Sequence, residues 1–304
     1  METKFNNTRK KTTENINRNR LLAAIPVVEH RFDFAGIHTP VLIGGDGPPV
    51  ILLHGPGESS LWWMRVIPML TKTHRVIVPD LPGHGDSKIN RDSLNTDLVF
   101  EWLSRLIKQT CPSPPVLVGN ILGGSIGARF AIGHGEQIRQ LVMVNSLGLG
   151  RFRPAPGFAF GLFRFIIRPT EKNFNLFFPH CIYDVDDLQR QMGEHWDPFV
   201  AYNLECARDK KRSKAMNFLM KKLGIPKIPS EDLRKIDVPT TLIWGRLDKA
   251  NKLKIAETAS KKYDWPLHVI EKTRDDPKLE RPGEFVRALS SVFKTSKTMA
   301  NFAR

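Results

Sequence analysis

The chain has 304 residues, 41% hydrophobic and 25% charged, with a formal net charge of +15. That length and composition suit a soluble globular protein with a large core, and no apolar run approaches the ~18 residues of a membrane span, which excludes an integral membrane protein. The first twenty residues are polar and basic without the apolar stretch of a secretory signal, and Cys111, Cys181 and Cys206 are odd in number and widely spaced, so free thiols in a reducing, cytoplasmic setting are expected.

Residues 1–26 have too little apolar surface to fold and read as a disordered basic tail. Residues 31–34 and 39–43 predict an antiparallel pair, and 50–54 the first buried strand. Short apolar runs at 76–78, 116–118, 141–144, 241–244 and 267–270, bounded by Pro, Gly or Asp, predict further strands. Segments of helical length lie between most of them, at 98–110, 122–133, 252–262 and 283–295. This alternation predicts an α/β fold with a mostly parallel sheet flanked by helices. The rhythm breaks over 148–237, which has no strand-like run but many aromatics, among them Phe152, Phe158, Phe160, Phe163, Phe165, Phe174, Phe177 and Phe178. That stretch predicts an inserted helical cap over the C-terminal edge of the strands, where open α/β sheets bind ligands. Most of these rings are expected to pack the cap onto the body, a few to line a pocket. The body is then 27–147 with 238–296, and 297–304 reads as a flexible C-terminus. Residues 208–222 hold seven Lys/Arg against one acid. With no nucleic-acid motif beside them they read as a solvated helix face.

Five ordered motifs resemble the α/β-hydrolase fold family. VILLHGPGESSLWW (50–63) is similar to its strand and loop ending in His-Gly, RVIVPDLPGHGDS (75–87) to its PDLPGHGxS loop, and PVLVGNILGGSIGARFA (115–131) to its nucleophile strand, elbow and helix. TTLIWGRLDKA (240–250) resembles the strand and turn that place the triad acid, and DDPKLERPGEF (275–285) the HxPxxExPEEF segment that begins with the triad His. The resemblance covers roughly residues 27–295 apart from the cap.

It implies a nucleophile on the elbow G-x-S-x-G, then an acid and a His that removes the hydroxyl proton. Aligned without gaps, the elbow is Gly119-Asn120-Ile121-Leu122-Gly123, and Ile121 offers no lone pair for covalent catalysis. Gly123-Gly124-Ser125-Ile126-Gly127 matches the pattern literally but falls four residues later, inside the expected helix, where Ser125 serves close packing. The acid is retained as Asp248. With Pro277 and Glu280 anchoring the register, Asp275 stands where the His belongs. It either faces Asp248, in which case one carboxyl is raised in pKa or water separates them, or points to solvent in a shifted loop. The oxyanion region is His54, Gly55, Pro56, Gly57, Asn120, Ile121 and Leu122. Pro56 has no N–H to donate, which leaves Leu122 at the helix start and Gly57 as candidate donors. His54 and His84 belong to structural loops, His134 and His268 to tolerant positions, and His180 and His195 lie in the cap. No His pair has metal-ligand spacing and no GxGxxG marks a dinucleotide site, so neither metal nor cofactor is expected.

The resemblance together with its gaps implies a non-catalytic, small-molecule-binding pseudo-hydrolase with a small apolar ligand and no nucleic-acid partner. The alternative is an enzyme acting on a small apolar ester-, lactone- or carbonyl-type substrate without serine, with Asp275 and Asp248 as general base.

Overall fold

The computed structural model describes residues 15–90 and 94–302, with side chains through Phe293. Nine strands form one sheet: β1 Val28–Phe34, β2 Ile37–Gly44, β3 Pro49–Leu53, β4 Arg75–Pro79, β5 Lys88–Ile89, β6 Val116–Asn120, β7 Gln140–Val144, β8 Thr240–Gly245 and β9 Leu267–Ile270. Their order is β1-β2-β4-β3-β6-β7-β8-β9, with the short β5 on β2. Pairings are parallel from β4 across to β9, and antiparallel where β2 meets β1, β4 and β5. The central strands β3, β6, β7 and β8 are buried along their whole length, as strands covered on both faces must be. Helices 96–110, 122–134 and 253–263 supply apolar faces such as Trp102, Phe130 and Ala256 to one core. Trp63, Phe285 and Leu289 belong to the other, which continues into the helical insertion.

Between β7 and β8 lie helices Pro156–Ile167, Glu171–Cys181, Val185–Met192, Trp196–Arg208, Lys210–Leu219 and Ser230–Leu233. Polar ties fasten this insertion to the body on several sides. Trp62 Nε1 donates to Asn203 Oδ1 at 2.7 Å, Tyr202 Oη to Asp86 at 3.3 Å, and Arg274 Nη1 to the Ile182 carbonyl at 2.7 Å. Ala155 N–H donates to the Lys249 carbonyl at 2.8 Å.

Two terminal expectations need correction. Of the tail expected over 1–26, residues 1–14 lie outside the described residues, but Ile16–Leu22 is a helix. Asn15 caps it by accepting from Arg18 N–H, and Asn15 and Asn17 both donate to Glu205 of the insertion. Arg18 is buried among Glu29, Asp80 and Asp86. Tertiary charge pairing and the burial of Leu21 hold a helix whose own composition would not. At the other end, helix Pro282–Phe302 continues through most of the stretch expected to be flexible. Ala303 and Arg304 lie outside the described residues.

Candidate functional site beneath the helical insertion

Parallel strands β6 and β3 end side by side, and the chain turns sharply from β6 into helix Leu122–His134. Ile121 occupies that turn at φ +48°, ψ −98°, a backbone region that a β-branched residue adopts only when its surroundings impose it. The constraint is visible on both sides. A Cβ on Gly119 would collide with the backbone of Gly123, and one on Gly123 would sit 2.5 Å from the Leu53 carbonyl oxygen. Ile121 is further pinned by its own N–H, which donates to Val144 O at 2.9 Å, and by its carbonyl, which accepts from Leu147 at 3.1 Å. The turn is therefore built at 119–123. Ser125 lies one helical turn beyond, fully buried, with its Oγ donating to the Leu223 carbonyl at 2.5 Å. It packs the helix against the insertion and does not reach the cavity.

A cavity of about 180 Å³ opens above Ile121. Its walls are mostly aromatic and aliphatic, contributed by the insertion (Phe158, Phe165, Phe174, Phe178, Met216) and by Trp62. Its deep end is acidic, since Glu58, Asp275 and Asp276 line it beside Pro56, Gly57 and Ile121. Of the oxyanion-region residues, His54, Gly55, Asn120 and Leu122 stand behind the lining. His54 is fully buried, accepts at Nε2 from Leu81 N–H at 3.0 Å and faces the Gly55 carbonyl with Nδ1. Burial, reinforced by His84 and Lys278, holds it neutral. Gly55 N–H donates to Glu58 Oε2 at 2.9 Å. Leu122 stands at the first helical position, where an N–H has no acceptor within its own helix. Neither His180 nor His195 lines the cavity, whereas His84 does.

Asp275 does not point to solvent: it is 4% exposed and lines the cavity. Its N–H donates to the Cys181 carbonyl at 3.3 Å, and its Oδ1 has no hydrogen-bond partner. Burial raises its pKa well above the carboxylate range, and the neighbouring Asp276, Asp248 and Glu280 push the same way. Asp248 sits one layer back. It accepts from Asn145 Nδ2, Ala250 N–H and Asn251 N–H, each at 2.7 Å, and burial raises it to about 7 against those hydrogen bonds. The two carboxyls thus share a neighbourhood, but only Asp275 is presented to a ligand.

Three residues of this cluster were not singled out from sequence. Lys278, with 0% exposure, pairs with Asp276 and lies 3.5 Å from Glu58, its ammonium 5.5 Å from the ring centre of Trp62 and 5.3 Å from that of Trp63. Burial alone would lower its pKa, but Asp276 and Glu58 outweigh that and raise it. Asp276 also accepts from Asn120 Nδ2 at 3.1 Å. Burial pushes Glu58 up to about 8, Asp276 adding to the rise and Lys278 opposing it. The available signals were the Asp275-Asp276 doublet and a lysine in the register segment, but nothing in a linear pattern says that such a lysine is interior.

Strand order, the sharp β6-to-helix turn and the insertion after β7 define a class, and the family comparison agrees. Residues 48–277 match the family model described as alpha/beta hydrolase fold, and the chain belongs to that family. A relative from Metapseudomonas resinovorans, a 2-hydroxy-6-oxo-6-(2'-aminophenyl)hexa-2,4-dienoic acid hydrolase, is 28% identical over 281 residues, 87% of this chain and 90% of its own length. A pimeloyl-[acyl-carrier protein] methyl ester esterase from Aeromonas hydrophila is 24% identical, covering 81% and 95%. The 2-hydroxy-6-oxo-6-phenylhexa-2,4-dienoate hydrolase of Rhodococcus sp. strain RHA1 superposes with a TM-score of 0.77 at 22% identity, over 89% of this chain and 99% of that one. Among the described residues, no His, Cys, Asp and Glu gather as a metal site, and no helix is long and apolar enough to cross a membrane.

Proposed function

We propose that this protein binds a small, largely apolar molecule in the cavity beneath the insertion and forms no covalent acyl intermediate with it. The observation that carries the reading is Ile121: the elbow keeps its strained shape, yet the atom aimed from it is a hydrocarbon branch. The neighbouring hydroxyl of Ser125 is committed to the Leu223 carbonyl, and Asp275 stands where an imidazole would be needed. An aromatic-walled cavity retained without those groups supports binding. Two measurements test it. A fluorophosphonate probe is expected to leave the intact mass unchanged, and a neutral solvatochromic dye such as Nile red is expected to bind saturably. The variant Ala207→Trp, which fills the cavity from its wall, should abolish dye binding. A stable adduct mapped to residues 119–127 would end the proposal.

A second reading is favoured by one feature. Asp275 is a buried carboxyl with a raised pKa on the cavity wall, the environment that suits a general acid or base. In that reading the protein turns over an ester-, lactone- or carbonyl-type molecule, Asp275 exchanging a proton with water or with the substrate and Asp248 acting on it from behind. Turnover of an ester and lactone panel by the wild type, lost in Asp275→Asn, would establish this reading in place of the first.

A further inference from the structure

The deep end of the cavity is electrostatically lopsided. Glu58, Asp275 and Asp276 face the open space, and Asp248 and Glu280 lie close enough behind to raise the Asp275 pKa. Against these acids stand two cations. The Lys278 ammonium is engaged by Asp276 and Glu58 and held over two indole rings. The Arg274 side chain turns away to the Ile182 carbonyl. The Cys181 thiol, also on the wall, is held protonated by burial and by these same acids. Farther along the cavity, Arg212 is occupied by Asp86 and Cys206. What remains is Asp275 Oδ1, interior, on the cavity wall and without a partner. Leaving such an oxygen unbonded is unfavourable, and a ligand that supplies a donor or a positive charge removes the penalty. Trp62 and Phe178 also line the cavity, and an aromatic ring attracts a cation over its face.

We propose that the ligand is an amphiphile whose polar end is a protonated amine, seated against Asp275 with its hydrocarbon part among the aromatic rings of the insertion. The inference rests on the non-covalent binding reading above and names the ligand class for it. A carboxylate-ended molecule of the same shape finds no free cation at this end, since Lys278 is engaged by Asp276 and Glu58, and is disfavoured. In the empty protein burial and the neighbouring acids favour the protonated form of Asp275. Ammonium binding replaces that proton, so its affinity rises with pH, by up to about tenfold per unit while Asp275 would otherwise stay protonated.

The test compares octylamine, octanol and octanoate as competitors of bound Nile red. Octylamine is expected to bind at least about tenfold more tightly than octanol, the scale of one charge-assisted hydrogen bond, and octanoate not to compete. Asp275→Asn should weaken octylamine by a similar factor and leave octanol nearly unchanged. In the wild-type protein, which needs no substitution to fold, octylamine affinity should climb between pH 5 and 7 while octanol affinity stays level. Equal affinities for amine and alcohol, preference for octanoate, or a flat pH profile for octylamine would overturn the amine assignment while leaving the binding reading intact. Failure of the wild type to bind Nile red would remove the binding reading itself, and this proposal with it.

Discussion

Replacing Lys278 by Met keeps most of the side-chain stem and removes one buried positive charge. In the native protein that ammonium pairs with Asp276 and lies 3.5 Å from Glu58, with no exposure to water. Breaking a buried pair by deleting one partner costs about 3–5 kcal/mol, because the survivor is left charged in a poor solvent. Protonation limits the loss. Glu58, already pushed up to about 8, is largely neutral at pH 7, which leaves Asp276 as the partner that loses its cation. Holding one carboxyl protonated costs about 1.4 kcal/mol for each pH unit above an unfolded value near ~4. The sign follows directly: a carboxyl whose folded pKa is raised contributes stability below its unfolded pKa and loses it as pH rises through the folded value. Lys278→Met should therefore lose about 3–5 kcal/mol at pH 8 and less than about 2 kcal/mol at pH 5, read from urea unfolding curves. A loss of the same size at both pH values would show that the lysine matters for packing and not for charge, and the electrostatic account of the cluster would fail.

Asp275→Asn removes a carboxyl whose folded pKa is raised, so its melting temperature relative to wild type should become more favourable from pH 5 to pH 8, by roughly 1–3 kcal/mol equivalent; a difference that stays constant with pH in scanning fluorimetry would contradict the assignment. Ser125→Ala should cost only about 1 kcal/mol, since the Leu223 carbonyl keeps its bond from Arg129 Nε at 3.1 Å, and should leave fluorophosphonate reactivity as it was. Gly123→Ala would place a Cβ 2.5 Å from Leu53 O, and a loss of about 3 kcal/mol or outright failure to fold is expected on denaturant titration; near-wild-type stability would mean that the turn is not held there.

The body of the fold is legible in sequence because its strands are interior on both faces, which writes them as short β-branched runs such as 50–53 and 141–144. Strand ends are less legible: β1 begins at Val28 rather than at residue 31, its extra residues set by pairing with β2. The helix at Ile16–Leu22 escapes any local pattern, because its partners Glu205, Asp80 and Asp86 are far away in the chain. At the site, motif register places Ile121, Asp248 and Asp275, and the helical position of Ser125 separates it from the elbow. The cluster of Glu58, Asp276 and Lys278 is illegible for a physical reason. Charged residues are ordinarily at the surface, and only the fold reveals that two carboxyls and one ammonium gather inside.

The fastenings of the insertion constrain how anything enters the cavity. Asn203, Tyr202, Ile182 and Ala155 are hydrogen-bonded across to the body, and Glu205 holds the N-terminal helix. A swing of the whole insertion about a hinge would break several of these bonds at once. Rotation of a few rings in the wall breaks none of them, since Phe177 meets Phe158 edge-on and stacks on Phe165 without any of those hydrogen bonds. Entry past rotating wall rings therefore disrupts fewer polar ties than entry by a swing of the whole insertion.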